Sequence, residues 1–222
     1  DMEHTHADLQ TAALMFGSIA DAGCVPLVRV PCSKHEAIKQ VLDCGAMGIV
    51  VPMVMTPEEA RSIVAAAKYP PRGNRSLGGG LHALNFGTSS DTYYKQADDE
   101  ILVVIQTEHI DAVEIADEIY ATPGIDAVFV GPNDLAASMR GPDGSPPDPE
   151  RFERTLTRIR EAAERQGIAP GLHVFSIADA QKRMAEGWKF IAVNSELKMM
   201  LDGALAVVKA TSGGGGESMA KY

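Results

Sequence analysis

Two acidic side chains stand just past apolar runs, where they could act together. Glu108 closes Ile101-Leu-Val-Val-Ile-Gln106-Thr-Glu108, and Asp134 closes Ala127-Val-Phe-Val-Gly131-Pro-Asn-Asp134. Carboxylates at neighbouring strand exits are hard oxygen ligands, suited to Mg2+ or Mn2+ completed by waters and substrate oxygens. The plainer alternative makes Asp134 a helix N-cap before Leu135-Ala-Ala and Glu108 a solvated loop acid. Gln106, two residues before Glu108, points to the same side of its strand by the period of two. Arg29 lies inside the apolar run Val25-Pro-Leu-Val-Arg29-Val. A cation there is costly unless paired, so it needs a carboxylate, either the protein's own or a substrate's. Histidine exchanges protons near neutrality, which makes His4 a candidate acid/base, although a lone histidine is ordinarily structural or exposed. His173, ending Gly171-Leu-His173, reads as a satisfied core histidine, and His6, His35, His82 and His109 have no ligand spacing.

The elements that must position these groups alternate regularly. Strands are predicted at residues 25–30, 48–51, 101–106, 127–130, 168–174 and 190–193. Each is near-continuously apolar, as strands buried on both faces require. Ser33-x-x-Glu36 and Thr56-Pro-x-Glu59 have the capping-box pattern that opens a helix, and Asp148-Pro149 opens a longer one. Gly45, Gly167 and Gly187 stand where helices stop. Ala60, Ile63, Val64 and Ala67, then Phe152, Leu156, Ile159 and Ala163, recur at helical spacing and give stripes to pack on a sheet. This β–α alternation, without a Gly-rich dinucleotide turn, predicts an α/β fold of the (β/α)8 TIM-barrel type, with its site at the C-terminal ends of the strands.

Two stretches interrupt the pattern, residues 69–100 and 140–149, and loops of that length usually carry function or disorder. Within the first, Arg72-Gly-Asn-Arg75-Ser-Leu-Gly78-Gly-Gly80 lacks the Lys-Ser/Thr of a nucleotide-binding loop. Arg75 and Ser76 are instead candidate contacts for the distal end of a substrate, and specificity is expected to reside in the 69–100 loop and in neighbouring subunits. The 222 residues, 45% hydrophobic and 23% charged, predict one domain over residues 1–211 and a flexible Gly-rich tail over 212–222. A barrel typically takes about 250 residues, and only six strands are counted after the abrupt opening Asp1-Met-Glu3-His4. The first strand, first helix and most of the second strand are therefore expected to be missing.

A net charge of -10 argues against nucleic acid and anionic membranes as partners. Three cysteines without paired spacing argue against a disulfide framework or a zinc site, and a cytoplasmic setting is the expectation.

Seven motifs then follow one another in a recognisable order: Asp1-Met-Glu3-His4, Leu27-Val-Arg29-Val-Pro31, Leu42-Asp43-Cys-Gly45, Val51-Pro-Met53-Val, Tyr69-Pro-Pro71, Gln106-Thr-Glu108 and Val130-Gly-Pro132-Asn-Asp134-Leu. With them the chain resembles the HpcH/HpaI aldolase/citrate lyase family of class II 2-oxo acid aldolases. The resemblance implies a (β/α)8 barrel and a Mg2+ or Mn2+ ion on Glu108 and Asp134. It implies that Arg29, Gln106 and Asn133 hold the 2-oxo acid, that Arg29 also serves catalysis, and that His4 is the acid/base, oriented by Asp43. Glu3 would stand behind the metal. A homo-oligomer, trimer or hexamer, with the last helix exchanged between subunits, is implied as well.

The reaction expected is cleavage or formation of a C–C bond in a 4-hydroxy-2-oxo acid, giving pyruvate and an aldehyde through a metal-stabilised enolate. A Schiff-base route would need a lysine in the barrel mouth, and Lys189 stands at the wrong end of its strand. Competing readings are an oxaloacetate decarboxylase of the macrophomate synthase type, a lyase for CoA thioesters, which would need a basic nucleotide groove, and an inactive truncated barrel with only an oligomerisation role.

Overall fold

A computed structural model describes residues 1–211; the expected tail at 212–222 lies outside the described residues. Strands β1 (Leu27–Arg29), β2 (Gly48–Val51), β3 (Leu102–Gln106), β4 (Ala127–Val130), β5 (Ala169–Val174) and β6 (Phe190–Val193) fall on the six predicted runs. They pair in chain order, each pair parallel. Around them run α1 (Leu9–Asp21), α2 (His35–Asp43), α3 (Pro57–Ala67), α4 (Leu81–Leu84), α5 (Ser90–Glu100), α6 (Ile110–Glu114), α7 (Ala116–Tyr120), α8 (Pro132–Ser138), α9 (Pro149–Arg165), α10 (Ile177–Ala185) and α11 (Glu196–Thr211).

Strand parity shows how this sheet is covered. Ile49, Val51, Val103, Ile105, Val128, Val130, Leu172 and Val174 share one buried cluster with helix residues such as Ile38, Ile63, Ile119 and Leu156. Residues of the other parity, Val50, Val104 and Ala127, form a separate cluster with Phe129, Ala169 and Phe190, and no helix residue joins them. Among the described residues, helices thus pack on one face only. Strands in sequential order with helices on one side form a singly wound wall, whereas a doubly wound sheet reverses its order and covers both faces. The barrel expectation is met at this level, a curled parallel sheet of six strands among the described residues.

Local signals account for most element ends. Thr56 caps α3, its hydroxyl accepting from Glu59 N–H at 3.1 Å, and Glu59 reaches back to Met55 N–H at 2.7 Å. Asp148 caps α9 through Arg151 N–H at 2.9 Å. The Ser33 capping box is not formed: α2 starts one residue later, behind Lys34, with no side-chain cap.

The segment 69–100 departs more from expectation. It contains α4 and α5, and the side-chain bonds that tie it to the sheet lie where strands begin. Lys68 Nζ donates to the carbonyls of Asp98 and Ile101, both at 2.8 Å, just before β3. Arg75 reaches Asp43, the last residue of α2, five residues before β2. In this chain the segment therefore covers the N-terminal end of the sheet, opposite the strand exits.

Candidate active site

At the C-terminal end of β3 the chain leaves the strand through Gln106, Thr107 and Glu108, all buried. Glu108 is 3% exposed, so it is not the solvated acid of the plainer alternative. Its Oε1 accepts the Met53 N–H at 2.8 Å, and its Oε2 accepts Gln106 Nε2 at 2.7 Å. Met53 follows β2 with φ 51°, the left-handed region, which aims its amide across the sheet while its side chain points to solvent. Burial pushes the Glu108 carboxyl up to about 7, helped by the charges of Asp134 and Glu3 and opposed by the Met53 amide and by Arg29.

Asp134 follows β4 in the first turn of α8, exposed, and the helix is capped by Gly131, so Asp134 is not the N-cap. Asn133 beside it is exposed as well. Arg29, the last residue of β1, has the parity of Val50 and Val104 and so faces the side of the sheet free of helices. Its Nε donates to Asp1 Oδ1 at 2.9 Å, a second nitrogen bonds Asp1 Oδ2, and its third lies 3.4 Å from Glu3 Oε2. The internal salt bridge is therefore formed. The backbone of Met2, donating to Arg29 O at 2.9 Å, fixes this end of the chain beside β1.

His4 is exposed, with Nε2 3.7 Å from Glu3 Oε2. The expected pairing with Asp43 is not made. Asp43 ends α2, and because helices run back between parallel strands, that residue lies beyond the start of β2 while His4 lies beyond the end of β1. The four residues of β2 alone separate them by ~13 Å at ~3.3 Å per residue. Asp43 Oδ1 instead accepts Arg75 NH2 at 2.8 Å, and its carbonyl meets His82 Nδ1 at 3.3 Å. Arg75 is fully buried, 4.5 Å over the Tyr69 ring and 3.2 Å from Tyr93 Oη, so in this chain it is no contact for a substrate at the strand exits. His173 is satisfied by Asn194 O at 3.1 Å.

Glu108, Asp134, Gln106, Arg29 and Glu3 therefore meet at the strand exits, with His4 beside Glu3. Sequence reasoning missed Met53, because nothing in a Pro-Met step announces a left-handed residue, and it missed Asp1 as the partner of Arg29.

A model of the HpcH/HpaI aldolase/citrate lyase family matches residues 1–203. The chain belongs to this family. Its curated relatives include a hydroxypyruvate/pyruvate aldolase of Chromohalobacter salexigens, 36% identical over 96% of this chain and 83% of the relative. A 2-keto-3-deoxy-L-rhamnonate aldolase of Klebsiella pneumoniae is 38% identical over 96% of this chain and 80% of its own length. Among solved structures, an HpcH/HpaI aldolase of Desulfitobacterium hafniense superposes with a TM-score of 0.86 at 28% identity, covering 99% of this chain and 84% of that one. The chain is thus an enzyme of an aldolase family, and no helix among its described residues is long and apolar enough to cross a membrane.

The residues at the strand exits fit a hard divalent cation. Two buried oxygens, Glu3 Oε2 and Gln106 Oε1, accept no hydrogen bond, and Glu108 is a carboxylate made costly by burial. Among the described residues no three His, Cys, Asp or Glu side chains close into a cage of their own. Glu108 and Asp134 would be the protein's ligands, leaving the other positions to water and substrate, which is the usual arrangement for Mg2+.

Proposed function

We propose that this chain makes or breaks the C–C bond of a 4-hydroxy-2-oxo acid, with pyruvate and an aldehyde as the cleavage products. The observation that carries the reading is the gathering of Glu108, Asp134, Gln106 and Arg29 at the strand exits, in a chain whose relatives are named aldolases. Mg2+ or Mn2+ on Glu108 and Asp134 would supply Lewis-acid stabilisation of the negative charge that develops on the 2-oxo oxygen. Gln106 and the Met53 amide hold Glu108 in one orientation, so little reorganisation is needed when charge develops. Arg29 offers the planar fork that binds a substrate carboxylate, exchanging part of its hold on Asp1 and Glu3. Asn133, exposed beside Asp134, is a further contact for the 2-oxo acid. His4 takes the 4-hydroxyl proton in cleavage and returns it in condensation. Asp43 of the same chain lies too far away to steer it. The exposed apolar residues of α11, among them Leu197, Met199 and Met200, support assembly into a trimer or hexamer.

The test is pyruvate release from a 4-hydroxy-2-oxo acid with Mg2+ or Mn2+, with EDTA, and with Glu108→Ala. Release that needs the cation and is lost in the variant is expected. Release that survives both EDTA and the variant would overturn the reading.

A further inference from the structure

We propose that Gly131 is a positioning residue for Glu108, and that the absence of a side chain there sets the affinity of the Glu108–Asp134 pair for a divalent cation. The inference rests on the reading of those two carboxylates as cation ligands.

Gly131 has φ −84° and ψ 98°, extended backbone that any L residue adopts, so conformation does not call for glycine. Space does. A Cβ at this position would lie 2.3 Å from Glu108 Oε2 and 3.3 Å from Gln106 Nε2, well inside the ~3.5–4.0 Å of ordinary contact. The carboxylate cannot swing aside freely, because Oε2 is held by Gln106 and Oε1 by the Met53 amide. Met53 keeps that amide in place with left-handed backbone, so its grip depends on a conformation with little room to adjust. The backbone at 131 cannot retreat freely either. Gly131 is the N-cap of α8, three residues before Asp134, and Leu135 N–H bonds its carbonyl at 3.0 Å. Movement away from Glu108 would carry Asp134 with it. One methyl group at 131 therefore displaces either carboxylate from the other.

The experiment titrates metal-free protein with Mn2+ by calorimetry, comparing wild type with Gly131→Ala, and records melting curves of both. The same substitution is melted in a Glu108→Ala background. Expected are a Kd for Mn2+ weakened tenfold or more, as when a support of a metal ligand is lost, and no change in melting temperature from Gly131→Ala once Glu108 is alanine. If Gly131→Ala alone fails to fold while the double variant folds, the clash with Glu108 is confirmed directly. Unchanged Mn2+ affinity, or an equal loss of melting temperature in both backgrounds, would overturn the proposal. Absence of Mn2+ binding by the wild type would overturn the cation reading itself, a result distinguishable because it appears before any variant is compared.

Discussion

Glu108→Gln should stabilise the metal-free protein above neutral pH. A carboxyl near 4.5 in the unfolded chain and near 7 in the folded one differs by 2.5 units, on the order of 3 kcal/mol at 1.36 kcal/mol per unit. The sign follows from proton counting. Between those two values the folded state holds more protons, so stability falls as pH rises through the window. The cost is nearly absent at its acid end and complete above pH 7. Glutamine removes the charge and keeps an oxygen for the Met53 amide. Its new amide hydrogens need an acceptor where Gln106 now donates, and Gln106 can turn its own unpartnered Oε1 toward them. At pH 8 in EDTA the gain should be about 2 to 3 kcal/mol, or roughly 4–12 °C in melting temperature for a domain of this size. At pH 5 it should shrink to under about 1 kcal/mol. Melting curves by circular dichroism at the two pH values decide the matter. An equal gain at both, or a loss at pH 8, would refute burial of an ionised carboxylate as the source of the shift.

Two further substitutions test the two ends of the sheet. Arg75→Met strips the donor from Asp43 and the partner from Tyr93 Oη, and should cost about 3 kcal/mol, near the low end for a broken buried pair because Asp43 retains some exposure. Urea denaturation reads it, and a loss below about 1 kcal/mol would mean that the pair is dispensable. Arg29→Lys keeps the charge but loses the fork that grips two oxygens of one carboxylate, so kcat/KM for the 2-oxo acid should fall about 10- to 100-fold. An unchanged value would remove Arg29 from substrate binding.

The strands were legible because each is short and apolar, and fully buried four-residue runs such as Gly48–Val51 leave the pattern little freedom. Glu108, two residues past β3, and Asp134, four past β4, were legible for the same reason: a polar residue that soon follows such a run stands at the strand exit. The pairing of Asp43 with His4 is implied by the family resemblance and not by direction along the chain, and within one chain it is not formed. α2 runs back from the exit of β1 to the start of β2, so a residue at its end belongs to the opposite end of the sheet. The burial of Arg75 is not legible in the glycine-rich run around it, because it is produced by Tyr69 and Tyr93, 6 and 18 residues away. The left-handed backbone of Met53 has no signature in composition at all, since the residue types that usually adopt it are Gly and Asn.

The two ends of the sheet differ in how their charges are settled. At the strand beginnings Arg75 meets Asp43, and Lys68 spends its ammonium on two carbonyls. At the strand exits Asp1 and Glu3 share the Arg29 guanidinium, while the buried Glu108 feels the charges of Asp134 and Glu3 as well as that of Arg29. Helix packing on the far face, around Ile49, Ile105 and Val128, anchors the strands from whose ends these side chains project. A second arginine here would relieve the repulsion on Glu108, but it would also fill the demand for positive charge that a divalent cation would meet. On the proposed cation reading, the charge that burial disfavours on Glu108 is the one a bound cation would offset. The same substitution that stabilises the metal-free protein should be the one that abolishes its binding of Mn2+.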